Sequence, residues 1–381
     1  MLARVYRIIT SLKLTVALLA LGLVLVFWGT LAQVHLGLYR AQNEFFRSFF
    51  IYWSPAWTTW KMPIFPGGYF IGWLLLINLF AAHFRYYQPG KRQIGIIMIH
   101  FGVVLLLLGQ LLTDVLSNES LLHLRNGETR NYSEAPSRFE LALVDTTDAT
   151  SDKVVAIPGS WLADGHDITH PAMPFTVRVK TYYPNSSLVE KETAGYSPVN
   201  TSAGFGADAW WRSLPHETEM EKRDIPSAIV ELIGPQGSLG TLLVSGYLPR
   251  PQSFSFDRHE YQLSLRPVRY YKPFNIRLLE FRHDKYPGTD IPKNFSSRIR
   301  LQQPDTGEDR EVLIYMNNPL RYAGETYYQA SFDQDNQGTV LQVVHNPSWL
   351  TPYFSCVLVG AGLVVQFLSH LVAFAKKRKA A

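Results

Sequence analysis

Apolar residues crowd four stretches of the chain and alternate with polar ones in the long region between the third and the fourth. Leu14–Ala32 reads LTVALLALGLVLVFWGTLA. Two further runs fill Gly67–Asp114, and the last spans Thr351–Phe374. The hydrocarbon core of a bilayer is ~30 Å thick, which a helix of about 20 apolar residues crosses. The pattern predicts transmembrane helices over about 14–33, 67–85 and 94–114, and a fourth within 350–381. A cleaved signal peptide competes for the first run, because Thr30-Leu31-Ala32 loosely matches a cleavage site. That run is longer than the roughly 7–15 residues of a signal core, which favours an uncleaved helix.

Residues 117–349 are different. Apolar and polar positions alternate over Phe139–Val144, Phe175–Thr181, Ala228–Leu232, Tyr261–Val268, Phe274–Phe281, Ser297–Leu301, Val312–Tyr315, Thr326–Phe332 and Thr339–Val344. Turn signals such as Asn126-Gly127, Pro158-Gly159 and Pro287-Gly288 lie between them. This period predicts half-buried antiparallel strands. Ala194–Arg223 breaks the pattern with Gly, Ser and Asn, as a long loop or a boundary between two β subdomains. The expected fold is an α+β membrane protein: four transmembrane helices, with a large antiparallel β-rich domain inserted between helices 3 and 4. Its parts are a membrane domain (1–116), the β domain (117–349), and the closing helix with its tail (350–381).

Charge orients the spans. The connector between the second and third runs carries Arg85, Lys91 and Arg92 and no acid. Arg4, Arg7 and Lys13 precede the first run, and Lys376, Lys377, Arg378 and Lys379 follow the last. By the positive-inside rule all three clusters are cytoplasmic. The chain is therefore expected in the cell inner membrane as a multi-pass protein, its β domain extracytoplasmic, on the periplasmic side. Val34–Pro66 would lie at the outer headgroups, where its aromatic residues (Phe45, Phe46, Phe49, Phe50, Tyr52, Trp53, Trp57, Trp60) suit the interface. The net charge of +5 thus reports topology and not a nucleic-acid surface. The single cysteine, Cys356, excludes an intrachain disulfide and a CxxC redox couple.

Eleven histidines are the candidate chemistry. His123, His166, His170, His216, His259 and His283 lie in the β region without an HExxH motif. His166 and His170 have a helical metal-site spacing, but Gly165 and Pro171 argue against a helix there. His35 and His345 flank spans at the outer interface, and Trp210-Trp211 reads as packing. His83, His100 and His370 fall inside the apolar runs, where an ionisable residue is costly and marks function. His83 lies near Arg85 and His370 near Lys376, so both reach toward interfacial water. His100 sits about six residues, or roughly 9 Å, into its helix. Gly95, Gly102 and Gly109 form one stripe suited to close helix approach, and Gly102 points nearly opposite to His100. The His100 face, with Ile96, Ile97, Val103, Val104 and Leu107, would suit a flat apolar ligand containing iron, such as haem. A hydrogen bond from His100 to a neighbouring helix carbonyl explains the residue equally well.

Three motifs carry a family resemblance: Ser11–Gln33 (SLKLTVALLALGLVLVFWGTLAQ), His100–Leu112 (HFGVVLLLLGQLL) and Asn317–Asp333 (NNPLRYAGETYYQASFD). Together with the order of parts, they resemble the ResB/CcsB family of System II cytochrome c biogenesis over essentially the whole chain. The resemblance implies that this chain, together with a separate CcsA-type membrane subunit, carries haem across the membrane and supports its attachment to apocytochrome c. This chain would then be a non-catalytic or co-catalytic subunit of a haem lyase. The resemblance also implies a transmembrane histidine as haem ligand, matched first by His100 and second by His83. The second axial ligand is expected from elsewhere, as at a subunit interface. A membrane-anchored assembly protein without a cofactor, or a transporter subunit for another amphiphile, are the competing classes.

Overall fold

The computed structural model describes residues 2–54, 60–86, 93–217, 223–289 and 292–380. Trp57, Lys91 and Arg92 lie outside them, as does the side chain of Lys379. Two compact units emerge, one of residues 2–118 with 345–380, the other of residues 119–217 with 223–344.

The first unit is helical. A short helix, α1 (Leu2–Ile9), breaks at Thr10 before α2 (Leu12–Leu36), which Ser11 caps by accepting from the Lys13 N–H at 3.2 Å. After Gly37 come one turn, α3 (Leu38–Ala41), and a π-helical turn at Gln42–Phe46. A two-stranded ribbon follows, β1 (Phe50–Trp53) antiparallel to β2 (Met62–Pro66). Then come α4 (Gly68–Tyr86) and α5 (Ile94–Leu116), and, after the second unit in chain order, α7 (Thr351–Ala380). Among the described residues four helices are long and apolar enough to cross a membrane: α2, α4, α5 and α7. They match the four expected runs within a few residues, except that α7 continues through the basic tail.

Two devices pack these helices. Leu18 and Leu25 of α2, Ile71 of α4, Phe45 and Ile51 form a buried cluster. Beside it the buried Asn78 of α4 donates to the Ile9 carbonyl at 2.5 Å and accepts from the Thr15 hydroxyl at 2.5 Å. That amide satisfies a backbone carbonyl freed where α1 stops, and Arg85 donates to the Thr10 hydroxyl at the same break. On α5 the glycine stripe meets α7. A β-carbon on Gly95 would fall 2.7 Å from the Gln366 backbone N, and one on Gly109 2.6 Å from Thr351 Cγ2. Close helix approach along the stripe is as the sequence predicts.

The second unit is antiparallel β. In chain order its strands are β3 (Asn118–Arg125), β4 (Thr129–Asp145), β5 (Lys153–Pro158), β6 (Thr176–Tyr183), β7 (Ser186–Val189), β8 (Ser197–Pro198) and β9 (Trp210–Ser213). Then follow β10 (Ser227–Gly234), β11 (Gly237–Ser245), β12 (Gln252–Phe256), β13 (His259–Lys285), β14 (Pro292–Gln303) and β15 (Glu308–Tyr315). The last are β16 (Leu320–Tyr322), β17 (Glu325–Phe332) and β18 (Gly338–His345). One turn of helix, α6 (Gly159–Ala163), follows β5. The main sheet has the order β15-β14-β13-β4-β3-β18-β17-β16, with β12 added to β13 and β5 to β4.

Two cores lie on it. One packs Leu141, Leu143, Leu263 and Leu265 of this sheet against Val177, Val230 and Val244 of the smaller β11-β10-β6 sheet. The other gathers Leu124, Ile276, Leu278, Ile299, Leu301, Tyr327 and Leu341. Strand β13 lines both. Two expected strands, Tyr261–Val268 and Phe274–Phe281, are its halves, joined through register shifts beside Pro267 and Pro273. The interrupting segment Ala194–Arg223 supplies β8 and β9 of a small β7-β9-β8 sheet.

Candidate functional site

His83 and His100 face each other across α4 and α5. Their ring centroids are 5.9 Å apart and the ring planes meet at 74°. Both side chains are half-buried, among exposed apolar neighbours that include Phe84, Ile96 and Phe101. The geometry follows from helix phase. With the Gly95–Gly102–Gly109 stripe turned onto α7, the opposite face of α5 carries His100 toward α4. His370 is not part of this pair. Its Nε2 lies 2.7 Å from Gln366 Nε2 on α7, the residue that covers Gly95.

A neutral imidazole offers one lone pair to a metal. Two imidazoles fall short of a structural zinc site, which takes about four ligands. Among the described residues no three His, Cys, Asp or Glu side chains gather into a metal-holding group. The pair by itself offers at most two nitrogen ligands.

The remaining histidines are tied into the β unit or lie apart from the pair. His123 Nε2 is 2.8 Å from Asp333 Oδ1, His216 Nδ1 2.5 Å from Asp224, and His259 Nδ1 2.9 Å from Asp145. His283 packs its ring against Phe295 and Phe332, with centroids 4.7 and 4.8 Å away. His166 and His170 lie outside any helix, so their spacing brings no common face. His35 and His345 are exposed. Trp211 is buried and packs on Tyr183 at 4.4 Å, while Trp210 beside it is half-buried.

The motif Asn317–Asp333 builds a hairpin, β16 with β17. β16 turns into β17 through Ala323-Gly324, both with positive φ (49° and 79°), so Tyr322 opposes Glu325 and Leu320 opposes Tyr327. Two successive positive φ values are what a tight hairpin turn of the right twist requires. Tyr327 is fully buried and donates to Glu325 at 2.7 Å, and Glu325 also pairs with Lys272. Burial, with that carboxylate beside it, pushes the Tyr327 phenol far above its ordinary range, so it stays a neutral donor.

Residues 251–340 match the model of the ResB-like family. That stretch runs from β12 into β18 and contains the hairpin motif. The chain is also 24% identical over 279 residues to Protein NrfI of Wolinella succinogenes. The match covers 73% of this chain and 28% of NrfI, so the chain spans less than a third of that relative. Both comparisons bear out the ResB/CcsB resemblance read from the sequence. The family model lies wholly in the β unit, whereas His83 and His100 lie on α4 and α5.

Proposed function

We propose that this ResB-like protein is a membrane component of cytochrome c maturation that handles haem as its cargo. In this reading it works beside a CcsA-type subunit. His100 is the first iron ligand offered by the chain, and His83 stands beside it to supply or orient a second nitrogen. The observation that carries the reading is the 5.9 Å approach of these two rings on facing apolar helices. An axial pair needs nothing more from the protein when the macrocycle brings the equatorial nitrogens. The greasy walls of α4 and α5 suit the ring, and the polar propionates must be met elsewhere.

The β domain belongs on the extracytoplasmic side in this scheme, where it would hold or orient the apocytochrome. The basic residues at the first helix and at the tail support that orientation. A reporter inserted at Pro235-Gln236-Gly237 should therefore behave as extracytoplasmic and one fused after Ala381 as cytoplasmic. The reverse result would invert the topology.

The direct test is the absorption spectrum of the chain purified with its partner subunit. A Soret band of low-spin haem that depends on His100 is the expected result. A stable, colourless complex would instead favour an assembly protein without a cofactor.

A further inference from the structure

At the end of the α4–α5 seam away from the histidines lies a cavity of about 480 Å³, within the range of small-molecule sites. It continues the histidine line. Leu76 lies two turns before His83, and Leu107 two turns after His100, and both line it together with Trp73. Gly72 opens onto it: a β-carbon there would meet nothing within 4 Å. The missing side chain keeps volume free inside a helix that gains nothing else from glycine.

The polar side of this cavity lies at the ends of α4 and α5. Asp114 Oδ1 holds one Arg47 terminal nitrogen at 3.0 Å, and Oδ2 accepts from the Tyr69 hydroxyl at 2.6 Å. Both carboxylate oxygens are thereby engaged, and they fix Arg47 at the rim. A guanidinium has five N–H donors, so one such contact leaves most of them for a ligand. Gln33, Gln42 and Gln110 also line the cavity, and among the described residues their carboxamides make no hydrogen bond to protein. Apolar walls, a clamped arginine and three spare amides together fit a flat apolar body with carboxylates at one edge.

We propose that this cavity is a second station for the porphyrin, which holds the macrocycle by its carboxylates and not by its iron. The inference rests on haem being the cargo. An anionic phospholipid presents similar chemistry to the arginine. The aromatic residues in the lining, Phe46, Tyr69 and Trp73, and the continuity with the histidine seam favour the macrocycle.

Metal-free protoporphyrin IX is the probe, because it has the carboxylates and no iron for the histidines to bind. It would be titrated into the full chain in phosphatidylcholine nanodiscs. The wild type and the His83→Ala/His100→Ala variant should bind it with affinities within about twofold of each other. Gly72→Leu, which fills the cavity, and Arg47→Gln should each weaken it at least tenfold. Gly22→Leu, at a position of α2 that is likewise open, should leave it unchanged. Porphyrin dimethyl ester should bind weakly to the wild type and be insensitive to Arg47→Gln. Porphyrin binding unaffected by Gly72→Leu, or lost in the double histidine variant, would overturn the assignment. So would a phospholipid, seen by native mass spectrometry, that is lost in Gly72→Leu and that protoporphyrin cannot displace. Failure of the histidine reading shows separately, as a Soret band of iron porphyrin that ignores His83 and His100.

Discussion

Gly102 and Val359 leave no room between them: a β-carbon on Gly102 would lie 2.6 Å from Val359 Cγ2 and 3.1 Å from the Ser355 carbonyl. The contact joins α5 to α7 backbone against side chain, as small residues permit in membranes. It also turns His100 toward α4.

Gly102→Ala should therefore destabilise the helical unit by about 1–3 kcal/mol, the usual cost of overpacking. Val359 is β-branched and cannot swing aside, so Val359→Ala should recover much of the loss. Unfolding of the purified chain in detergent would measure both. Additive losses in the double variant would mean the contact is not tight.

His100→Ala should strip or shift the Soret absorbance of the complex with its partner and stop cytochrome c maturation, with insertion intact. His83→Ala should do nearly as much, because the two rings adjoin. His370→Ala, which loses only a contact to Gln366 on the other side of α5, should retain the spectrum. Added imidazole should partly restore the His100→Ala complex. A normal spectrum and normal maturation in both His83→Ala and His100→Ala would remove the pair from consideration.

Asn78→Leu should loosen the break between α1 and α2 from α4. An interhelical hydrogen bond in a membrane is worth about 1–2 kcal/mol at most. Thr15→Val removes one partner of the same amide, so the double variant should lose less than the sum of the two. Faster hydrogen exchange along α1 would report the release.

Ala323→Gly should stabilise the β unit. A left-handed conformation costs a non-glycine residue roughly 1–2 kcal/mol, and glycine gives back about 0.5–1 in chain entropy. The net gain should be about 0.5–1 kcal/mol, read as a higher midpoint in urea. A loss of stability would mean that the Ala323 methyl makes contacts that outweigh its strain.

The spans were legible because length and hydropathy alone define them. So was the glycine stripe, because a seven-residue spacing fixes its face. Helix phase across the hairpin is not fixed by either pattern, and the meeting of His83 with His100 is visible only in three dimensions. Asn78 lowers the hydropathy of its run without breaking it, and its partners Ile9 and Thr15 are distant in sequence, so the pattern does not reveal its bonds. In the β unit, Pro267 and Pro273 lack the N–H of a regular ladder, which made one strand look like two. β5 gives no period-2 signal, because VVAIP is apolar without alternation. β11 begins at Gly237 and contains Gly240, and glycines in a strand weaken its signal.

That long strand has a mechanical meaning. β13 has 27 residues, a contour on the order of 90 Å at about 3.3 Å per residue. Its side chains enter both cores, so neither lobe can be cut away or opened without pulling the shared strand out of the other. The two cores of the β unit are thus tied through one continuous element and should lose their order together.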